Sequence, residues 1–188
     1  MQKIRTFIAI KIPAELQKAF EELIGHMRRT PGDVRWVNPH SVHITLKFLG
    51  EISAEEMERV FGGMEEAVAG IPAFSLVTGS KGAFPNLKRP RVYWVGLAET
   101  GDSHLFRLQK NIEKEMALCG FPKEERAFKA HLTVGRVKSA RGMEAISELF
   151  MKYPFPQIEF TANEVLVMKS ELTPRGPIYS VQKAFSLK

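Results

Sequence analysis

Two tetrads of the same type, His43-Ile44-Thr45-Leu46 and His131-Leu132-Thr133-Val134, stand 88 residues apart in a chain of 188. Imidazole is the side chain whose ordinary pKa, about 6.5, lets it give or take a proton near neutrality. Two imidazoles facing one space could do both at a phosphorus centre. A neutral ring would activate the attacking water while an imidazolium protonates the leaving oxygen, and each such step is worth roughly 10²- to 10⁴-fold. Thr45 and Thr133, each two positions after its histidine, could donate to the non-bridging phosphate oxygens. Arg136 could add a bidentate clamp on the same phosphate.

The elements around the tetrads must deliver that geometry. Each tetrad sits in an apolar, β-branched context that reads as a strand, so His and Thr share one face and the intervening apolar residues the other. Strict alternation turns Arg136 away from His131 and Thr133, unless the strand twists, ends or bulges near Gly135. In the first motif the equivalent position is Phe48, which would supply an aromatic surface for a base where the second supplies a guanidinium.

Periodicity predicts a first strand over Thr6 to Lys11, then a helix opened by Pro13 with Leu16, Phe20, Leu23, Ile24 and Met27 on one face. Ser53 and Glu56 form a capping box for a second helix, which Gly70 and Pro72 end. Strands over about 74–78 and 91–97 flank a loop, 79–90, and a third helix runs from about Ser103 to Cys119 before Gly120. A short helix near 143–151 and strands near 157–169 and 178–185 complete the chain. This mixture predicts an α+β fold with two antiparallel sheets, helices on their outer faces and the tetrads in the groove between them.

Composition narrows the class. An apolar fraction of 44% is ordinary for a globular chain, and no apolar run approaches a membrane span, which points to a soluble, cytoplasmic protein. The lone Cys119 closes a helical stripe and can form no internal disulfide, so it reads as packing. A net charge of +6 favours a polyanionic partner, although a solubilising surface would show the same excess. Lys81, Phe84, Lys88, Arg89 and Arg91 mix cations with an aromatic, as RNA-contacting loops do. His26, His40 and His104 have no partner pattern and read as local structure, and Trp94 and Tyr179 read first as packing residues at strand positions. Neither tetrad has a second histidine or a carboxylate at metal-ligand spacing, so no metal and no cofactor are expected.

At these residues the chain resembles the 2H phosphoesterase superfamily, and within it the RNA 2′,3′-cyclic phosphodiesterases, also called 2′-5′ RNA ligases. The resemblance rests on the ordered set of Arg5 to Ile10, His43 to Gly50, Phe84-Pro85-Asn86, Arg89 to Val92, His131 to Arg136 and Leu172 to Tyr179, and so covers essentially the whole chain. Lys129-Ala130 departs from a family pattern that often has proline there. The resemblance implies one bilobal domain over 1–188, two interleaved lobes related by a pseudo-twofold axis around a central groove. It implies metal-independent hydrolysis of a 2′,3′-cyclic phosphate to a 2′-phosphate, with His43 as proton donor and His131 as proton acceptor. In some members it further implies ATP-independent, reversible 2′-5′ joining of RNA ends. The expected partners are RNA with 2′,3′-cyclic phosphate ends or small cyclic nucleotides, with no membrane and a monomeric state. Phe48, Phe84, Lys88, Arg89, Arg91 and Tyr179 are the candidate RNA or base contacts. The alternative is a non-catalytic RNA- or nucleotide-binding module that uses the same groove.

Overall fold

The first strand is buried on both faces. In β1 (Ile4–Lys11), Ile8 and Ile10 enter the main core, while Phe7 and Ala9 join a smaller cluster with Leu166 and Met168 on the opposite face. The computed structural model describes residues 3–174 and 176–188; Met1, Gln2 and Arg175, the last within a block shared with the resembled family, lie outside the described residues. After β1 come α1 (Ala14–Met27), β2 (Val34–Trp36), a single 3-10 turn (Pro39–Ser41), β3 (His43–Ile52) and α2 (Ala54–Val68). β4 (Phe74–Phe84), β5 (Val92–Glu99), α3 (His104–Leu118) and β6 (His131–Val137) follow, then α4 (Met143–Lys152), β7 (Glu159–Ala162), β8 (Glu164–Thr173) and β9 (Gly176–Ser186).

The strands form two antiparallel halves, β7-β4-β5-β6 and β3-β1-β8-β9. The halves meet where β3 pairs with β6, and the one registered pair of that seam is Ile44 with Leu132. β2 extends the same edge by pairing with β6 further along, at Val34–Val137, Arg35–Arg136 and Trp36–Gly135. α2 and α3 pack on each other and touch β9 and β3, whereas α4 packs on β4 and α1. The helices thus cross between halves: α1 follows β1 in the chain but packs Phe20 on Phe155 and His26 on Tyr153, beside α4. Helix boundaries follow local chemistry. The Ser53–Glu56 capping box forms in both directions, at 3.2 and 2.7 Å, and Gly120 ends α3 with a φ of +94°.

Three segments and one side chain differ from their sequence reading. β4 continues to Phe84 where a loop was expected from Gly79, because a bulge between Thr78 and Lys81 absorbs Gly79 and Ser80 without ending the strand. Lys81 leaves the loop surface altogether: its ammonium caps the end of α4, donating to the carbonyls of Phe150 at 2.5 Å, Met151 at 3.2 Å and Tyr153. β2 is too short for periodicity to reveal. The strand read over 157–169 is two strands broken at Asn163, whose carbonyl accepts from the Leu187 N–H at 2.8 Å.

One buried ion pair ties the two motif regions together. Lys47 of β3 donates to Glu113 of α3 at 2.7 Å and to the Pro122 carbonyl at 2.8 Å, with side chains only 4% and 15% exposed. Glu113 also accepts from the Glu124 N–H at 3.1 Å, so the pair anchors the segment that leads into β6. Removing one member of such a pair strands the other in the interior, whereas removing both does not. Lys47→Met is expected to lower unfolding free energy by about 3 kcal/mol, with Lys47→Met/Glu113→Leu recovering most of it, in urea titrations followed by far-UV circular dichroism.

Candidate active site

The seam register decides what faces what. With Ile44 opposite Leu132 in an antiparallel pair, His43 stands against Thr133 and Thr45 against His131, all four on the face away from the buried Ile44, Leu46, Leu132 and Val134. The two histidines then lie on one diagonal and the two threonines on the other, related by a local twofold through the Ile44–Leu132 pair. Diagonal β-carbons in such a pair are about 7–8 Å apart, room for a phosphate between two imidazoles.

Each ring is held in the same way. Nδ1 of His43 lies 2.8 Å from the Ser41 carbonyl, and Nδ1 of His131 lies 2.7 Å from the Lys129 carbonyl. A carbonyl can only accept, so both Nδ1 atoms carry hydrogen and the neutral tautomer leaves Nε2 bare. Aromatic side chains pack the rings: Phe7 and Tyr179 lie 4.8 and 5.2 Å from the His43 ring, and Phe84 lies edge-on to His131 at 5.0 Å. Phe84 rests in turn on Trp94, whose indole lies flat over Gly82, where a Cβ would fall 2.4 Å from the ring.

Both imidazoles are pushed below the ordinary value of 6.5, chiefly because burial disfavours the charged ring. The carbonyl hydrogen bonds oppose that shift, and the Arg136 guanidinium deepens it at both rings. His43 is lowered further by the charge of His131. Burial raises the Tyr179 hydroxyl, while Arg136 acts in the opposite sense.

Arg136 reaches this face because of one extra residue. On β5, Tyr93 pairs with Gly135 and Trp94 with Thr133, which leaves Val134 without a partner. The bulge puts Val134 and Gly135 both inward and returns Arg136 to the histidine face, removing the parity obstacle seen in the sequence. β3 repeats the device at the same place. Ile8 pairs with Lys47 and Ala9 with Thr45, so Leu46 is extra, Lys47 turns in to Glu113, and Phe48 comes out 63% exposed, 6.1 Å from Phe7.

The remaining candidates divide. Phe84 and Tyr179 pack against the two imidazoles, so Tyr179 lines the groove as well as packing in its strand. Lys88, Arg89 and Arg91 are exposed in the loop after β4, shaped by Asn86 Oδ1 accepting from the Lys88 and Arg89 N–H groups at 3.0 Å. Among the described residues none of the three hydrogen-bonds to either imidazole. His40 contacts Gln17 and Glu21, and His104 lies beside Asp102 and Phe74, both away from the groove. Phe7, Lys11, Arg35 and Lys129 escaped the sequence reading: Lys11 pairs with His43, Arg35 with Arg136, and the Lys129 ammonium sits over Trp94 at 5.2 Å. The signal that could have found Phe7 and Lys11 is their β1 parity, once β1 is known to lie beside β3.

Among the described residues no three His, Cys, Asp or Glu side chains converge as metal ligands, and no helix is long and apolar enough to cross a membrane. Cys119 is partly buried, its thiol pushed up by burial and 3.2 Å from the Arg59 carbonyl.

Comparison with known proteins places this geometry. The sequence model of the 2′-5′ RNA ligase superfamily matches residues 13–174. A Thermotoga maritima protein named RNA 2′,3′-cyclic phosphodiesterase is 34% identical over 178 residues, 95% of this chain and 92% of that one. One of the same name from Aquifex aeolicus is 36% identical over 155 residues, 81% of each. Among solved structures, a Thermus thermophilus protein superposes with a TM-score of 0.78 at 26% identity over 98% of both chains. Escherichia coli LigT, solved with 3′-AMP, gives 0.75 at 23% identity over 99% of both and shares the fold.

The lowered imidazoles make two measurable statements. Histidine C2–H titrations by NMR are expected to give both midpoints below 6.5, and Arg136→Gln to move both upward. As pH falls, the unfolded chain takes up these protons first. The stability contributed by the neutral rings is therefore full above about 6.5 and lost as pH falls from there to the folded midpoints.

Proposed function

The chain belongs to the 2′-5′ RNA ligase superfamily, and from that membership and the paired imidazoles we propose that it is an RNA 2′,3′-cyclic phosphodiesterase. Its substrates are RNA ends or small nucleotides bearing a 2′,3′-cyclic phosphate. The observation that carries this reading is the matched hold on His43 and His131, which leaves two Nε2 atoms to address one phosphate. The two lobes act as one unit, since each supplies one imidazole and the seam sets their spacing.

In the reaction, neutral His131 takes a proton from water through Nε2 as the water oxygen attacks phosphorus. The bond from phosphorus to O3′ breaks, and the imidazolium of His43 gives its Nε2 proton to O3′. The product is a 2′-phosphomonoester with a free 3′-hydroxyl. Thr45, Thr133 and Arg136 hold the non-bridging oxygens, where charge is carried in the transition state. The bound phosphate anion offsets the Arg136 charge at both rings and so favours the imidazolium that the acid step needs.

These residues complete the step with no metal. A 5′-hydroxyl of a second RNA in the place of water would run the same displacement to a 2′-5′ linkage, without ATP. Phe48, Phe84 and Tyr179 offer faces for bases, and Lys88, Arg89 and Arg91 offer charge to the RNA backbone.

An RNA ending in a 2′,3′-cyclic phosphate, incubated in EDTA, is expected to become a 2′-phosphate, identified by mass and phosphatase sensitivity. His43→Ala and His131→Ala should each lose about 10²- to 10⁴-fold in kcat. RNA bound by the wild-type protein without turnover would return the groove to a binding role, and activity abolished by EDTA would contradict the metal-free step. The kcat/KM profile should be bell-shaped with its optimum on the acid side of about 6.5, because both rings titrate low.

A further inference from the structure

Arg35 and Arg136 stand directly opposite each other where β2 pairs with β6. Opposed residues of an antiparallel pair share a face. The next pair, Trp36 and Gly135, turns inward: Trp36 stacks on the fully buried Tyr93 at 6.3 Å, and a Cβ on Gly135 would fall 2.7 Å from its ring. Both guanidiniums therefore emerge on the groove face, and both residues are exposed. Like charges placed opposite each other on a sheet are destabilising unless an anion lies between or beside them. Among the described residues neither arginine forms an ion pair.

Lys11 adds a third cation to this face. It pairs with His43 on β1, is exposed, and shares the groove face because Ile10 before it enters the core. Aromatic and apolar surface lies in the same groove, with Phe48 beside Phe7, Tyr179 beside His43 and Leu172 69% exposed, and Arg5 and Arg136 both act on the Tyr179 hydroxyl. A nucleotide chain has the same two characters, bases and phosphates. Arg136 follows Thr133 on β6, whereas Arg35 lies on β2, outside the two strands that carry the tetrads.

We propose that Arg35 forms a second phosphate subsite for the phosphodiester on the 5′ side of the nucleotide that carries the cyclic phosphate. This rests on the reading of the groove as a cyclic-phosphate site. It makes the enzyme favour polynucleotide ends over mononucleotides, through a contact that a nucleoside 2′,3′-cyclic monophosphate cannot make. The subsite supplies no chemistry and reads charge rather than sequence.

The test compares wild type with Arg35→Gln on two substrates, a short oligoribonucleotide ending in a 2′,3′-cyclic phosphate and adenosine 2′,3′-cyclic monophosphate. On the oligonucleotide, kcat/KM should fall about 10- to 100-fold, mostly through KM, as expected for loss of one charge-assisted contact. Its dependence on log salt should flatten by about 0.7 for the one phosphate released. On the mononucleotide, kcat/KM should stay within about twofold by the same logic, since the contacted phosphate is absent. An equal fall on both substrates would place Arg35 on the reacting phosphate and overturn the proposal, as would no change on either. If wild type turns over neither, the catalytic reading fails, and anisotropy with the same oligonucleotide, fluorescently labelled, decides the subsite. Weaker binding by Arg35→Gln supports it and equal binding overturns it.

Discussion

The backbone pairing of Ile44 with Leu132 is the contact on which the groove depends. A longer ladder between β3 and β6 would hold the two strands side by side along their whole length. With a single registered pair, the halves are fixed in register at one point and diverge on either side. That point is also the centre of the local twofold, so one pairing sets the spacing of both imidazoles at once. The buried apolar residues of each tetrad hold the seam from below, with Ile44, Leu132 and Val134 all fully buried. Shifting the register by one residue would turn every one of these side chains to the wrong face. The apolar positions of the tetrads are thus as necessary to the site as the histidines.

The bulges after Thr45 and Thr133 are the second constraint. Each adds one inward residue and so returns the fifth position after the histidine to the groove. The two halves use the gained position differently, for Phe48 in one and Arg136 in the other. They also use the inward position differently, for the Lys47 ion pair with α3 and for Gly135 beneath Trp36. The near-symmetric backbone therefore carries an asymmetric surface, with the Arg136 guanidinium in one half where the other has the Phe48 ring. An asymmetric substrate needs such a surface, because its leaving group and its nucleophile are different.

The tetrads, the capping box at Ser53 and the stop at Gly120 are legible in the sequence because each is local: a period of two, a reciprocal pair of hydrogen bonds, a left-handed backbone position. The α+β class follows from the same periodicities. What the sequence hides is pairing. Nothing local says that β1 lies beside β3, so Phe7 and Lys11 are invisible as neighbours of His43 until the sheet is assembled. Bulges are hidden too. Gly135 hints at one, but Leu46-Lys47 in the first motif does not, and there only the registered partners on β1 reveal it. Lys81 misleads for a related reason: its basic, glycine-flanked setting resembles a loop, while its ammonium is spent on the carbonyls that end α4.

The central claim is that two imidazoles, each tied through Nδ1 to the carbonyl two residues before it, present Nε2 to one shared phosphate. Long-range ¹H–¹⁵N spectra of ¹⁵N-histidine-labelled protein, with and without adenosine 2′-monophosphate, address it directly. The account predicts the Nδ1–H tautomer for His43 and His131 in the free protein, and joint movement of both Nε2 resonances when the nucleotide binds. A bare Nδ1 on either ring, or a response confined to one histidine, would contradict it.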